Sequence, residues 1–196
     1  MDDALRTLLE EIYQDGERHD RTAPDRMHRR RNLEPDAAAL LSVIIQAMGA
    51  RTVVEVGTSN GYSTLWLADA VARRDGRVIS VDLDGAAQEQ AAANLAAAGL
   101  AGLVELRRAD GGEALAGLPD AGCDVVFLDS ERPEYPGWWP HPVRVLRPGG
   151  LLAVDNVLSH PDEVAPLLRL VDDDPSLTGT VVPVGKGELL AVKAAR

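Results

Sequence analysis

The stretch that decides the fold is residues 52–72, which reads TVVEVGTSNGYSTLWLADAVA. Residues 52–56 are mostly apolar and predict a buried strand, and residues 62–72 predict a helix. Gly57 and Gly61 frame the turn that carries the chain from one to the other. A strand followed at once by a helix is the repeating unit of a parallel α/β sheet, in which ligands bind at the carboxyl ends of the strands. We therefore expect ligand-binding residues at this turn.

The same alternation of strand and helix continues along the chain. The predicted strands 180–184 and 188–192 are separated by Gly185-Lys186-Gly187 alone, so we expect a hairpin in which one strand runs antiparallel to the rest. The predicted fold is α/β, a Rossmann-like doubly wound sheet that is mostly parallel. The other predicted elements are strands at 77–81, 103–107, 124–128 and 151–154, and helices at 4–13, 36–49, 86–98, 113–118, 137–146 and 163–171.

Length and composition predict one domain in a reducing compartment. A chain of 196 residues suits a single core, with a helix and a lid-like basic loop over residues 1–32 and the core over 33–196. No apolar run is long enough for a membrane span, and no signal peptide is visible. The single cysteine, Cys123, excludes an internal disulfide, so we expect a cytoplasmic protein with no membrane partner.

The charge pattern bears on partners. A net charge of −11 disfavours general binding to nucleic acid or to an anionic membrane. One basic cluster stands against this trend, and it is either a solvated surface segment or an anion-facing lid over an active site. Its members are Arg26, His28, Arg29, Arg30 and Arg31.

The turn after the first strand does not match a dinucleotide fingerprint. A Gly-x-Gly-x-x-Gly motif starting at Gly57 would need glycine where Ser59 and Tyr62 stand, so an NAD-dependent oxidoreductase is disfavoured. The wider spacing suits a ligand without a pyrophosphate, held by backbone groups and by Ser63 at the helix N-terminus, where a carboxylate is favoured. The alternative is that the two glycines merely permit a tight turn.

Acidic residues follow the second and third predicted strands. Asp82 can accept two hydrogen bonds from a ribose diol, or it can serve as a cap or turn residue. Asp84 lies nearer the next helix and is the better cap candidate. Asp110 can receive an adenine amino group or cap the short helix after it, and the sequence leaves both open.

A second polar set follows the fourth and fifth predicted strands. Asp129 ends one strand, and Asp155 and Asn156 end the next. Two anionic oxygens and one neutral oxygen suit Mg²⁺, Mn²⁺ or Ca²⁺ rather than zinc. About three positions of an octahedron would remain for two vicinal substrate oxygens and a water. The alternative is a strand-end cap and a turn.

Five segments occur in the order and spacing of the cation-dependent O-methyltransferases: VVEVGTSNGYSTLWLA, VISVDLD, RADGGEAL, VVFLDSERPEY and LLAVDNV. Over about residues 33–193, the chain resembles these class I S-adenosylmethionine enzymes, typified by catechol and caffeoyl-CoA O-methyltransferases. The resemblance implies the class I methyltransferase fold, S-adenosylmethionine, a divalent cation (Mg²⁺ first, then Mn²⁺ or Ca²⁺) and a homodimer. It implies metal ligation by Asp129, Asp155 and Asn156, and cofactor binding by Glu55, Gly57, Thr58, Gly61, Ser63, Asp82, Asp110, Gly111 and Asp129.

The chain departs from this family at the position of its presumed base. The family usually has lysine three residues after the first metal aspartate, and here Arg132 stands there. Arginine stays protonated, so Arg132 cannot accept a proton, although it can stabilise a phenolate or bind a carboxylate or phosphate. The alternative is an exposed Lys-to-Arg exchange. We predict Arg132 and His160 as the catalytic residues, with His141 as a weaker candidate base. The aromatic residues nearby either wall the acceptor pocket or pack on the sheet: Tyr135, Trp138 and Trp139.

The predicted function is divalent-cation-dependent methyl transfer from S-adenosylmethionine to a hydroxyl of a small catechol-like or other vicinal-oxygen acceptor. The main rival acceptor is a tRNA hydroxyuridine, which the arginine cluster favours and the net charge disfavours. A non-catalytic S-adenosylmethionine-binding protein is the alternative that Arg132 keeps open.

Overall fold

The computed structural model describes residues 1–25 and 29–195. Its described residues form one seven-stranded sheet in the order β3-β2-β1-β4-β5-β7-β6. The first five strands pair in parallel, and β7 runs antiparallel to both of its neighbours. This confirms the predicted mostly parallel sheet with an antiparallel C-terminal hairpin strand. The strands are β1 Thr52–Val56, β2 Arg77–Asp82, β3 Val104–Arg108, β4 Cys123–Leu128, β5 Leu146–Val154, β6 Leu177–Val182 and β7 Glu188–Lys193.

Helices cover both faces of the sheet, because alternate side chains of each buried strand point to opposite sides. On β1, Val53 faces a core shared with α1 to α4, whereas Val54 faces a core shared with α5 and α7. None of the described helices is both long and apolar enough to cross a bilayer. The helices are α1 Asp3–Thr22, α2 Pro35–Met48, α3 Tyr62–Ala72, α4 Gly85–Ala97, α5 Gly111–Ala116, α6 His141–Arg144 and α7 Pro161–Asp173.

The N-terminal helix is longer than the apolar pattern predicts. The sequence predicts a helix over residues 4–13 and a loop for the polar stretch 15–32 after it, but α1 continues to Thr22. Apolar periodicity stops near Tyr13, and the last turns of the helix carry polar side chains that need no partner in the core. Gly16 lets the helix pass close to the returning chain, since a Cβ there would lie 2.3 Å from Nδ2 of Asn32. The loop prediction was therefore wrong over 15–22.

The predicted helix over residues 137–146 was also wrong. The structure has a 3₁₀ helix over Arg132–Trp138, then the four-residue α6, then β5 starting at Leu146. Pro136, Pro140 and Pro142 remove backbone donors that a continuous helix needs. This stretch instead brings Arg132 and the aromatic residues after it under the carboxyl edge of the sheet.

Candidate active site

A cavity of about 670 Å³ opens along the carboxyl edge of the sheet. Its lining comes from the segments that directly follow β1, β2, β3, β4 and β5, the edge where an open α/β sheet binds ligands. The volume falls in the usual range for small-molecule sites. Of the predicted site residues and nearby aromatic residues, the lining includes Gly57, Thr58, Ser63, Asp82, Gly111, Asp129, Arg132, Trp138, Asn156 and His160. Four predicted site residues are not part of it: Glu55, Gly61, Asp110 and Asp155.

The turn after β1 is packed against the end of β4. Gly57 has φ +112°, and a Cβ on it would lie 2.0 Å from the backbone carbonyl oxygen of Asp129. Gly61 has φ +83° and precedes the first residue of α3. Both positions therefore require glycine for backbone reasons. The tight-turn alternative is therefore confirmed for both glycines. The same turn also forms one wall of the cavity, and ligand binding by it stays a prediction.

Glu55 lies beneath this turn and does not reach the cavity. Its buried carboxylate accepts hydrogen bonds from the hydroxyls of Ser63 (2.5 Å), Thr64 (2.5 Å) and Ser80 (2.6 Å). Burial raises the pKa of Glu55 to about 7, against the lowering effect of the three hydroxyls. The Ser63 hydroxyl gives its proton to Glu55 and offers lone pairs to the cavity. It therefore suits an ammonium better than the carboxylate we expected there.

Asp82 lies at the tip of β2 and faces the cavity. One carboxylate oxygen accepts the Ser59 N–H at 2.9 Å, and the other accepts the Asp84 N–H at 2.9 Å. These contacts fix the carboxylate while leaving each oxygen a further lone pair, so the ribose contact stays a prediction. Asp84 caps α4, as expected. Asp110 caps α5 through the Glu113 N–H at 3.0 Å, and the adenine contact remains untested.

Asp129, Asp155 and Asn156 converge at the edge of the cavity, as the sequence predicted. The amide nitrogen of Asn156 donates to Asp129 at 3.3 Å and to Asp155 at 2.5 Å. Asp155 is 1% exposed. Burial raises the pKa of both carboxyl groups, and the charge of Asp155 adds to the effect on Asp129. A buried pair of carboxylates with so few donors is the environment that a cation stabilises.

The predicted ligand set of two carboxylates and one amide differs from an all-acid or histidine site. Within residues 1–25 and 29–195, no three His, Cys, Asp or Glu side chains are arranged to hold a metal. The site predicted from the sequence avoids this limit because one of its three ligands is Asn156.

Two charged residues that the sequence did not single out lie on the hairpin beside this set. Glu188 is fully buried at the start of β7 and contacts the carboxyl group of Asp155. Burial and the charge of Asp155 raise the pKa of Glu188 to about 10, so its carboxyl group keeps a proton and hydrogen-bonds to Asp155. Lys186 lines the cavity and pairs with Glu34 at 2.5 Å. An acidic residue opening an apolar strand was the available signal for Glu188.

Arg132 is buried against the cavity rather than exposed, so the Lys-to-Arg surface alternative was wrong. Its side chain is 3% exposed, and its Nε donates to Glu163 on α7 at 2.8 Å. Its Nη2 is buried and has no hydrogen-bond partner in the described part of the chain. Arg132 thus keeps a buried donor at the wall of the cavity that Asp129 and Asn156 also line.

The two candidate histidines are separated by the fold. His160 lines the cavity at the start of α7, and its Nδ1 lies 2.8 Å from the Ser159 hydroxyl. His141 is not part of the cavity lining, and its Nδ1 accepts from Arg144 at 3.2 Å. The structure therefore keeps His160 as the candidate.

The aromatic residues divide between wall and core. Trp138 lines the cavity, whereas Trp139 does not. Tyr135 is fully buried, stacks against Trp138 with ring centroids 5.2 Å apart, and accepts the Ser130 N–H at 2.7 Å. Trp138 therefore forms part of the cavity wall, whereas Tyr135 packs in the core.

The described part of the basic cluster crosses the cavity. The Ser59 hydroxyl donates to the carbonyl oxygen of Arg30 at 2.9 Å, and Asp20 accepts the backbone N–H groups of Arg30 (2.7 Å) and Arg31 (2.9 Å). The Arg31 guanidinium pairs with Glu131 at 3.0 Å. This segment therefore lines the cavity, with Arg30 paired to Asp15 and Arg31 to Glu131, and its role as a lid stays a prediction. Arg26 and His28 lie outside the described residues.

Comparison with known proteins gives the class. A model of the O-methyltransferase family matches residues 10–194. An O-methyltransferase-family relative from Mycolicibacterium vanbaalenii is 34% identical over 174 residues, 82% of this chain and 76% of the relative. A catechol O-methyltransferase from Niastella koreensis is 32% identical over 130 residues, 65% of this chain and 58% of the relative. The chain therefore belongs to the O-methyltransferase family.

A solved structure agrees with this assignment. An O-methyltransferase from Bacillus cereus in complex with SAH superposes with a TM-score of 0.80 at 25% identity, covering 95% of this chain and 90% of that chain. The predicted fold class and the predicted enzyme class, an S-adenosylmethionine-dependent O-methyltransferase, are confirmed.

Proposed function

We propose that this chain transfers a methyl group from S-adenosylmethionine to a hydroxyl of a small acceptor with two vicinal oxygens, in a reaction that needs a divalent cation. The observation that carries the proposal is the convergence of Asp129, Asp155 and Asn156 on one edge of the cavity. The Niastella relative named catechol O-methyltransferase and the SAH-bound Bacillus structure support the acceptor class and the cofactor.

The residues present fit a hard cation. Asp129 and Asp155 face each other across the Asn156 amide, whose nitrogen now donates to both carboxylates. With that amide turned so that its oxygen faces them, two carboxylates and an amide oxygen would hold Mg²⁺, with Mn²⁺ or Ca²⁺ as substitutes. When bound, such an ion lowers the pKa of an acceptor hydroxyl and fixes its position.

The cofactor would lie along the segments that follow β1, β2 and β3. Asp82 presents free lone pairs for a ribose diol, and Ser63 presents lone pairs suited to the amino group of the methionine portion. Placing the sulfonium next to the end of β4 would bring the methyl group near an acceptor beside Asp129. Holding the two reactants in line supplies much of the catalysis, because the sulfonium is already electrophilic.

The acceptor proton needs a group other than Arg132. The guanidinium stays charged, so it offers donors and positive charge only. The imidazole of His160 lines the same cavity and can accept a proton at the ring nitrogen that does not contact Ser159. We therefore assign the proton to His160 or to water. Trp138 lines the cavity next to Gly111 and Gly112, so we assign it to the wall on the cofactor side.

The experiment is transfer of a labelled methyl group to three acceptor classes: catechols, hydroxycinnamates and bulk tRNA. Each is assayed with Mg²⁺ and with EDTA. We expect label in catechols or hydroxycinnamates, with Mg²⁺ only. Label in tRNA alone would replace the acceptor class, and cofactor binding without transfer to any acceptor would favour the non-catalytic alternative.

A further inference from the structure

The buried guanidinium of Arg132 is incompletely satisfied by the protein. Glu163 takes its Nε, but Nη2 is buried without a hydrogen-bond partner among residues 1–25 and 29–195. Buried donors in folded proteins nearly always find an acceptor, so an exception needs an explanation. The position supplies one, since Arg132 lines the cavity together with Asp129 and Asn156.

The geometry points to an acceptor that carries an acid. We propose that the methyl acceptor is a vicinal diol or catechol bearing a carboxylate, and that Arg132 binds this carboxylate through the donors that Glu163 leaves open. The proposal rests on the proposed function and deepens it by naming the substrate class. Arg132 becomes a specificity-determining residue of the acceptor pocket.

Three features favour a small carboxylate. The guanidinium is a planar fork whose spacing matches a carboxylate. The cavity of about 670 Å³ must also hold the cofactor, which leaves room for a compact acceptor. Glu163 pairs with Arg132, and its side chain is 31% exposed, so solvent weakens the attraction between its carboxylate and the guanidinium.

A neutral acceptor would leave the pocket worse matched. It would cover Arg132 further while giving Nη2 at most a weak acceptor, and hydrogen bonds between charged groups are about twice as strong as neutral ones. Arg132 and Asp129 line the same cavity, so one acceptor can be tested for contact with both. The exchange of a titratable lysine for arginine then changes what the pocket selects.

The experiment compares 3,4-dihydroxybenzoate with 3,4-dihydroxybenzamide, which share the catechol and differ in charge. The readout is the ratio of kcat/KM for acid over amide. We expect a wild-type ratio of about ten or more, the usual worth of one charge-assisted contact. Arg132→Met should bring the ratio near one by lowering the acid value, and Arg132→Lys should retain part of it because the positive charge remains.

Two further variants separate recognition from a structural role. Glu163→Gln removes the competing carboxylate and should raise the ratio while leaving Arg132 in place. Arg169→Met is the matched control, since Arg169 is an exposed arginine on α7, the helix that carries Glu163. Its loss should leave the acid-over-amide ratio at the wild-type value. If Arg132→Met fails to fold, Glu163→Gln and Arg132→Lys decide the matter.

The outcomes also separate this inference from the proposed function. Methylation of both compounds at equal efficiency by the wild type, or an unchanged ratio in Arg132→Met, would overturn acid recognition and leave the catechol activity standing. Methylation of neither compound, together with no binding of either to the cofactor-saturated protein by calorimetry, would remove both.

Discussion

The two halves of the cavity differ in how their polar groups are satisfied. In the cofactor half, at the ends of β1 and β2, Glu55 accepts three hydroxyl donors and Asp82 accepts two backbone N–H groups. In the acceptor half, at the ends of β4, β5 and β7, several buried atoms of the described chain have no partner. They are Nη2 of Arg132 and the oxygens of Asp155 and Glu188 that the contact between these two carboxyl groups does not use.

This difference indicates which part of the cavity needs bound ligands to satisfy its buried polar groups. The cofactor half is preorganised by its own hydrogen bonds, with Nδ2 of Asn60 as an unpartnered exception among the described residues. The acceptor half concentrates two kinds of unmatched groups, buried acids beside Asp155 and a buried donor on Arg132. Such groups cost stability unless a cation or an anion meets them. We infer that these groups lower the stability of the free protein and are satisfied when a cation and an acidic acceptor bind side by side.

The largest expected effect comes from removing a cation ligand. Asp155→Ala should lower methyl transfer by about a thousandfold or more, because the Lewis-acid contribution is several kcal/mol. Binding of S-adenosylmethionine, measured by calorimetry, should survive because Asp155 is not part of the cofactor half. Asp162→Ala, an exposed aspartate at the start of α7, is the control. Wild-type turnover in Asp155→Ala would contradict the assignment of Asp155 to a cation site in the acceptor half.

The next effect concerns pH and stability. Burial raises the pKa of Glu55 from 4.5 to about 7, so the folded state keeps a proton that the unfolded state releases. Stability should therefore fall as the pH rises from about 4.5 to about 7 and level off above, by on the order of 3 kcal/mol for this group.

Glu55→Gln should remove this part of the slope. The measurement is urea unfolding at pH 5 and pH 8, with the exposed Glu89→Gln as control. An equal slope in wild type and Glu55→Gln would show that the three hydroxyls hold the carboxylate in its charged form after all.

A smaller effect tests the cofactor half itself. Asp82→Ala should weaken S-adenosylmethionine binding by about 1.5–3 kcal/mol, the loss of a bidentate charge-assisted contact. Asp172→Ala is the control, because Asp172 is exposed on α7 and is not part of the cavity lining. Calorimetry that finds the same affinity in both variants would remove Asp82 from the cofactor site.

Much of the fold follows from the sequence because its parallel strands are continuous apolar runs. Residues 52–56 and 62–72 are predicted with their observed bounds, since glycines mark both ends of the turn between them. The failures have local causes. Pro136 and Pro140 break a helix whose apolar pattern looks continuous, and α1 extends through polar residues that no periodicity marks.

The site residues that follow parallel strands could be predicted from the sequence. Those that an antiparallel strand pairing brings to the site could not. Asp129, Asp155 and Asn156 could be grouped because their strands end at one edge. Glu188 joins them only through the pairing of β7 with β5, which sets Val154 opposite Leu189 and so brings Glu188 beside Asp155. The burial of Arg132 is likewise a tertiary fact, because Glu163 comes from α7, 31 residues further along the chain.

The measurement that tests the central claim most directly is the cation dependence of methyl transfer. Wild-type protein is stripped with EDTA and given labelled S-adenosylmethionine and 3,4-dihydroxybenzoate, and Mg²⁺ is then restored in excess. The account predicts negligible transfer after chelation and full recovery with Mg²⁺, while cofactor affinity stays the same throughout. Full transfer in protein shown to be free of metal would contradict it.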